Sequence, residues 1–259
     1  MKNIRTATEL RNEAWTAMST SWPTVLSVTA MISLISWMAS LMGSALGILG
    51  SLLILVVQYL LVVPQIGLVR GMIDHLRGTP IAFSCFSSMW SYTKQIICCI
   101  LWQSLCLFGW VLLGYLPMIF ALFFIGAGTD YTVMSAIFVV ISVVLMMVLM
   151  VRAMLNYALV PPILADHPTM GAAATVDQSK QMMKGNRWRL VKMELPLMLI
   201  YALIIAISAF LINALGESIF VNLIISVLTI APTVMELYFA PVLYEELRSA
   251  GAAEEPCEE

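Results

Sequence analysis

TVLSVTAMISLISWMASLMGSALGILGSLLILVVQYLLVVPQIGLV, residues 24–69, runs for 46 residues without a charged side chain. As one straight helix it would measure about 69 Å, more than twice the hydrocarbon core of about 30 Å. The stretch therefore reads as two membrane spans, 24–40 and 46–69, joined by a turn at Gly43-Ser44. Four further apolar runs follow at 96–127, 133–159, 195–215 and 218–243. The third is too long for one straight span, so either its first turns lie at the interface or Pro117 kinks it.

The cations between these runs fix an orientation. Lys2, Arg5 and Arg11 precede the first run, and Arg70, Arg77 and Lys94 lie between the second and third. Arg152, Lys180, Lys184, Arg187, Arg189 and Lys192 lie from the end of the fourth to the start of the fifth, and Arg248 follows the sixth. The remaining gaps hold only Asp130 and Glu217. Short cytoplasmic loops retain Lys and Arg while translocated ones lack them. The expectation is an all-α polytopic membrane protein of six transmembrane helices forming three helical hairpins, with both termini cytoplasmic.

Composition agrees, with 61% hydrophobic residues and 11% charged, where a soluble domain carries about 25% charged residues. That balance excludes a soluble nucleic-acid-binding domain. Glu9 and Glu13 stand where a signal peptide would carry cations, so the first run reads as a retained span. The five Cys do not form a disulfide framework, because cytoplasmic thiols stay reduced.

The chain divides as one membrane domain. Residues 1–21 form an amphipathic N-terminal helix, 22–243 the six-span bundle, and 244–259 an acidic cytoplasmic tail. Thr6-Ala7-Thr8-Glu9 has the pattern of a capping box. Ala7, Leu10, Ala14 and Met18 then repeat at helical spacing, as expected of a helix lying on the inner leaflet. A second interfacial segment is expected at 71–94, around Phe83, Phe86, Met89 and Trp90. A third is expected at 169–185, started by Thr169 and ended by Gly185.

Lys180, Lys184, Arg187 and Arg189 make this last region basic. They are candidate contacts for anionic lipid or a protein partner, although topological retention alone would also explain them. Arg152 and Glu236 are the most deeply placed opposite charges, and pairing or separate snorkelling would relieve either. Pro64, Pro162 and Pro241 each follow two nonpolar residues near the end of an even-numbered span. They are read as hairpin ends with a shared bend, or as ordinary span-end prolines.

Pro162-Ile163-Leu164-Ala165-Asp166-His167-Pro168 and Ser179-Lys180-Gln181-Met182-Met183-Lys184-Gly185-Asn186-Arg187 resemble the signature of the bacterial integral-membrane family called domain of unknown function 975. Glu9–Ala14 with Trp22, Leu76-Arg77-Gly78 to Phe86, and Tyr244-Glu245-Glu246-Leu247 add to the match. The third and fourth runs are longer than that pattern. The resemblance implies a multi-span bacterial inner-membrane protein and assigns no activity.

The sequence holds no zinc-protease, nucleophile-elbow or phosphate-loop motif, and no cofactor is expected. Cys99 and Cys106 share a helix face, and Met146, Met150 and Met154 are spaced four apart. Either group suits soft-metal ligation or ordinary helix packing. A non-enzymatic scaffold or accessory protein that binds lipid or a partner is the first expectation, with homo-oligomerisation or a membrane-protein partner compatible. A small-solute or metal-ion transporter is the alternative. A polar cavity lined by Gln58, Gln103 and Asn213 would favour transport, and a dry bundle with a basic inner face would favour the scaffold.

Overall fold

The computed structural model describes residues 5–45, 47–81, 84–126, 132–216 and 218–251. Among these there are helices and turns and no strand. The helices are α1 (Ala7–Ala45), α2 (Gly47–Leu76), α3 (Ser84–Ser88), α4 (Thr93–Gly126), α5 (Thr132–Tyr157), α6 (Val160–Asp166), α7 (Ala172–Met183), α8 (Arg187–Leu215) and α9 (Ile219–Gly251). A 3-10 turn, Met89–Tyr92, joins α3 to α4. Five stretches are long and apolar enough to cross a membrane, and they lie in α1, α2, the Met89–Leu122 stretch containing α4, the Val133–Asp166 stretch spanning α5 and α6, and α8. The helix expected as a sixth span, α9, has 33 residues but is not among the five.

Consecutive long helices pack on each other: α1 on α2, α4 on α5, and α8 on α9, with α1 also against α9. Small residues permit the closest approaches. A Cβ on Gly50 would fall 1.9 Å from the Gly43 carbonyl oxygen, so Gly50 is required where α1 crosses α2, and a Cβ on Gly43 would press on the Ile54 side chain. Gly43 is therefore a packing residue rather than the turn expected there. The chain reverses after Ala45, and Gly47 supplies the positive φ of +60° that an L side chain disfavours. Between α4 and α5, Gly114 meets Met146, and the Ser142 hydroxyl donates to the Gly114 carbonyl at 2.9 Å. Such contacts are how helices associate where water supplies no hydrophobic drive.

The expected N-terminal lead-in is one helix with the first span. The capping box forms: the Thr6 amide donates to the Glu9 carboxylate at 2.7 Å, and the Glu9 amide to the Thr6 hydroxyl at 3.4 Å. From there α1 runs 39 residues through Pro23. Leu10, Ala14 and Met18 do share a face, but it is buried in the core rather than laid on a surface. The second polar segment is split between the end of α2, α3 and the 3-10 turn. Met89 is buried there and Trp90 is exposed, while Phe83 lies outside the described residues. In the third, Gly171 rather than Thr169 occupies the N-cap of α7. Gly185, at φ +87°, turns the chain out of α7 as expected.

Two of the three prolines read as hairpin ends do not end helices. Pro64 lies inside α2 and Pro241 inside α9, whereas Pro162 sits in the first turn of the short helix α6. An interior proline removes one backbone hydrogen bond and crowds the preceding turn. Packing beyond the prolines offsets that cost: Ile66, Leu68, Met72 and Ile73 follow Pro64, and Val242, Leu243 and Tyr244 follow Pro241, all buried.

Candidate functional site

The polar groups of this chain converge on one end of the bundle. α2 stops at Leu76, and Gly78 at φ +93° turns the chain away, leaving Arg77 at the helix end. Its guanidinium forms two parallel bonds to the Asp166 carboxylate, at 2.9 and 3.0 Å, and reaches Glu245 at 2.6 and 3.1 Å. Asp166 is the last residue of α6, where the helix dipole disfavours an anion unless it is paired. Besides Arg77 it accepts hydrogen bonds from the Tyr244 hydroxyl at 2.8 Å and from Arg248 at 2.7 Å.

One carboxylate, with a side chain only 12% exposed, thus ties α2, α6 and α9 together. The bond to Asp166, reinforced by Glu245, holds the Arg77 pKa above its ordinary value. Burial, reinforced by the bond to Asp166, pushes the Tyr244 phenol up as well. Arg70 completes the end of α6 by donating to the Ala165 carbonyl at 3.1 Å.

A second knot lies beside the first. Glu246, with its side chain 8% exposed, accepts from the Arg5 amide at 3.0 Å and from Arg5 Nε at 2.8 Å. Arg5 also bonds Glu13 at 2.7 Å. Deeper in the bundle, Ser21 and Tyr238 share a buried hydroxyl–hydroxyl hydrogen bond. These contacts fasten the start of α1 to α9. Three stretches singled out in the sequence (Leu76-Arg77-Gly78, Pro162–Pro168 and Tyr244–Leu247) therefore form a single structure, joined at its edge by the lead-in to α1.

α7 packs against α4, α5 and α6. Thr175, Val176, Ser179 and Met183 are buried, and the Ser179 hydroxyl donates to the Asn156 carbonyl at 2.8 Å. Of the four basic candidates, Lys180 bonds Asp177 at 2.8 Å and sits 5.8 Å from the Tyr157 ring. Lys184 is exposed. Arg187 and Arg189 are half-buried, and Arg187 Nε and Arg189 Nη1 are buried without a hydrogen-bond partner.

Arg152 and Glu236 are not brought together as an ion pair. Glu236 accepts from the Tyr201 hydroxyl at 3.0 Å, and Arg152 lies in a groove with Arg187 and Trp188. Sequence depth placed both charges near one level, but the helices that carry them, α5 and α9, do not pack on each other.

Two cavities of about 400 and 410 Å³ share Val69, Pro161, Thr233 and Leu237. Glu194 and Glu236 line the first, and Gln65, Thr29 and Ser33 the second. The three residues expected to mark a polar cavity do not meet. Gln58 bonds Ser36, Asn213 is exposed and bonds its own helix, and Gln103 lines neither cavity. Cys99 is packed in the core. Met146 lies against Gly114, while Met150 and Met154 are exposed. Among the described residues no group of His, Cys, Asp and Glu has a metal-binding arrangement.

A family model described as Protein of unknown function (DUF975) matches residues 1–212. No curated protein and no solved structure matches the chain.

Proposed function

The chain belongs to the DUF975 family of unknown function, and from that premise we propose that it is a non-enzymatic scaffold or accessory protein of the bacterial inner membrane. In this reading α9 is the sixth span, both termini are cytoplasmic, and the charged end of the bundle faces the cytoplasm. Its basic surface binds anionic lipid or a membrane-protein partner, which includes a second copy of the chain.

The observation that carries the reading is how the acidic and basic groups are used. Arg77, Asp166, Glu245 and Arg248 bond one another, as do Arg5 and Glu246, so these charges fix helices rather than face a reactant. Lys184, Arg187 and Arg189 have no acidic partner among the described residues and remain available. The test is thermal unfolding of the chain in nanodiscs of phosphatidylglycerol or phosphatidylcholine. The anionic bilayer raises the midpoint for the native chain, and changing Lys180, Lys184, Arg187 and Arg189 to Gln removes the difference. Equal midpoints for the native chain in both lipids contradict lipid binding by this face.

One observation favours the transporter reading. Two adjacent open cavities share Thr233, with Glu194 and Glu236 lining one and Gln65 the other. Ionisable groups at membrane depth usually mark a pathway or a pair. Cysteines placed at Thr233 and Ser33 separate the two readings. A transporter that alternates access exposes them to an impermeant thiol reagent from both sides, whereas a scaffold does not expose them from outside.

A further inference from the structure

The groove between α5 and α8 has the chemistry of a phospholipid site. It encloses about 460 Å³ and is lined by Val148, Val151, Arg152 and Leu155 of α5 and by Arg187 and Trp188 of α8. Both arginines line the same groove, no acidic residue lines it, and neither arginine has an ion-pair partner among the described residues. Arg187 Nε is buried and lacks a hydrogen-bond acceptor. Leaving such a donor unpaired is costly, and Arg187, half-buried and lining the groove, has no neutralising partner there. Arg187 is also the first residue of α8, whose free amide groups add positive potential at that point.

The remaining surface specifies what carries the anion. Trp188 is 73% exposed beside the arginines, the position of an interfacial aromatic. Met147, Val148 and Val151 are exposed and aliphatic, and they continue along α5 from Arg152 for about one to two turns. A free phosphate would use the arginines and leave these side chains uncovered. A phospholipid covers both, with its phosphate on the guanidinium groups and an acyl chain along the aliphatic side chains. A choline or ethanolamine head would bring a cation against two arginines, so the headgroup must carry net negative charge.

We propose that Arg152, Arg187 and Trp188 form a binding site for one anionic phospholipid, with its acyl chain lying on Val148 and Val151 between α5 and α8. The proposal rests on the lipid-binding reading above and gives it a location.

Native mass spectrometry of the delipidated full chain in detergent, with phosphatidylglycerol and phosphatidylcholine supplied equally, tests it. Two arginines near a lipid surface predict that phosphatidylglycerol adducts are favoured roughly tenfold or more. R152Q/R187Q reduces that preference to the phosphatidylcholine level, whereas K94Q, at an exposed lysine outside the basic surface, retains it. Val151→Trp, which fills the groove and keeps both arginines, produces the same loss and serves if the double variant does not fold. Inorganic phosphate does not displace the lipid.

Preference retained in Val151→Trp, or lost only in K180Q/K184Q, overturns the groove and leaves the basic-face reading standing. Complete displacement by inorganic phosphate overturns a lipid as the occupant. Equal binding of the two lipids by the native chain overturns both readings.

Discussion

The two ends of this bundle are built on different physics. At the charged end Leu10, Met72, Ile163, Met183 and Tyr244 are fully or almost fully buried, Asp166 accepts hydrogen bonds from Arg77, Tyr244 and Arg248, and Glu246 accepts two from Arg5. At the other end Trp37, Ile48 and Leu49 are exposed, Ile48 at 85%. The charged end resembles the interior of a soluble domain, held by side-chain burial and polar networks. Among the described residues the apolar end has no comparable core and relies on close backbone approach, at Gly43 with Gly50, with a bilayer as its solvent. The charged end can therefore specify the arrangement of the helices, while the apolar end supplies anchorage.

Removing the carboxylate that joins three helices should have the largest effect. Asp166→Ala leaves Arg77 facing only Glu245 and strips Tyr244 and Arg248 of an acceptor; each bond to a charged group is worth about 1.5–3 kcal/mol, and several are lost at once. A marked fall in the unfolding midpoint in detergent is expected, and an unchanged midpoint would remove the network from the account. Next is Gly50→Ala at the apolar end, where the new Cβ meets the Gly43 backbone. Overpacking of this kind costs about 1–3 kcal/mol, so the midpoint falls by less than for Asp166→Ala. A larger fall than at Asp166 would reverse the ranking of the two ends.

Arg152→Gln and Glu236→Gln come third. Because the two side chains do not pair, their losses in a double variant should add within about 0.5 kcal/mol. Strong coupling would mean that the charges meet after all. Lys180→Gln is last: it loses an exposed pair to Asp177, worth about 0.3–0.5 kcal/mol, and should leave the midpoint nearly unchanged.

Much of this division was legible in the sequence. The absence of charge from residues 24–69 dictated two helices and a turn, and the placement of Lys and Arg marked which loops belong together. Leu10, Ala14 and Met18 announced one apolar helix face, because their spacing is that of one helix side, but that face was expected on the inner leaflet and lies in the core. What they bury against was not legible, since spacing says nothing of a helix arriving from the far end of the chain. The network had the same obstacle. Arg77 and Arg248 are 89 and 82 residues from Asp166, and only folding brings them together.

Pro64 and Pro241 misled because local propensity argues for a break, while the buried residues after each proline sustain the helix. Arg152 and Glu236 misled because rise per residue gives depth without saying which helices are neighbours, and α5 does not pack on α9. The turn expected at Gly43 moved for a third reason: Gly47 meets the demand for positive φ, which frees Gly43 to let α2 approach.

The central claim is that the charged end is the cytoplasmic one. Site-directed cysteine labelling in intact cells tests it most directly, in a background where the native cysteines are replaced by Ser. Cysteines at Asp130 and Glu217, which lie outside the described residues, should react with an impermeant thiol reagent added from outside. A cysteine at Gly185, beside the basic surface, should react only after the membrane is permeabilised. Labelling at Gly185 in intact cells would place the charged end outside and contradict the account.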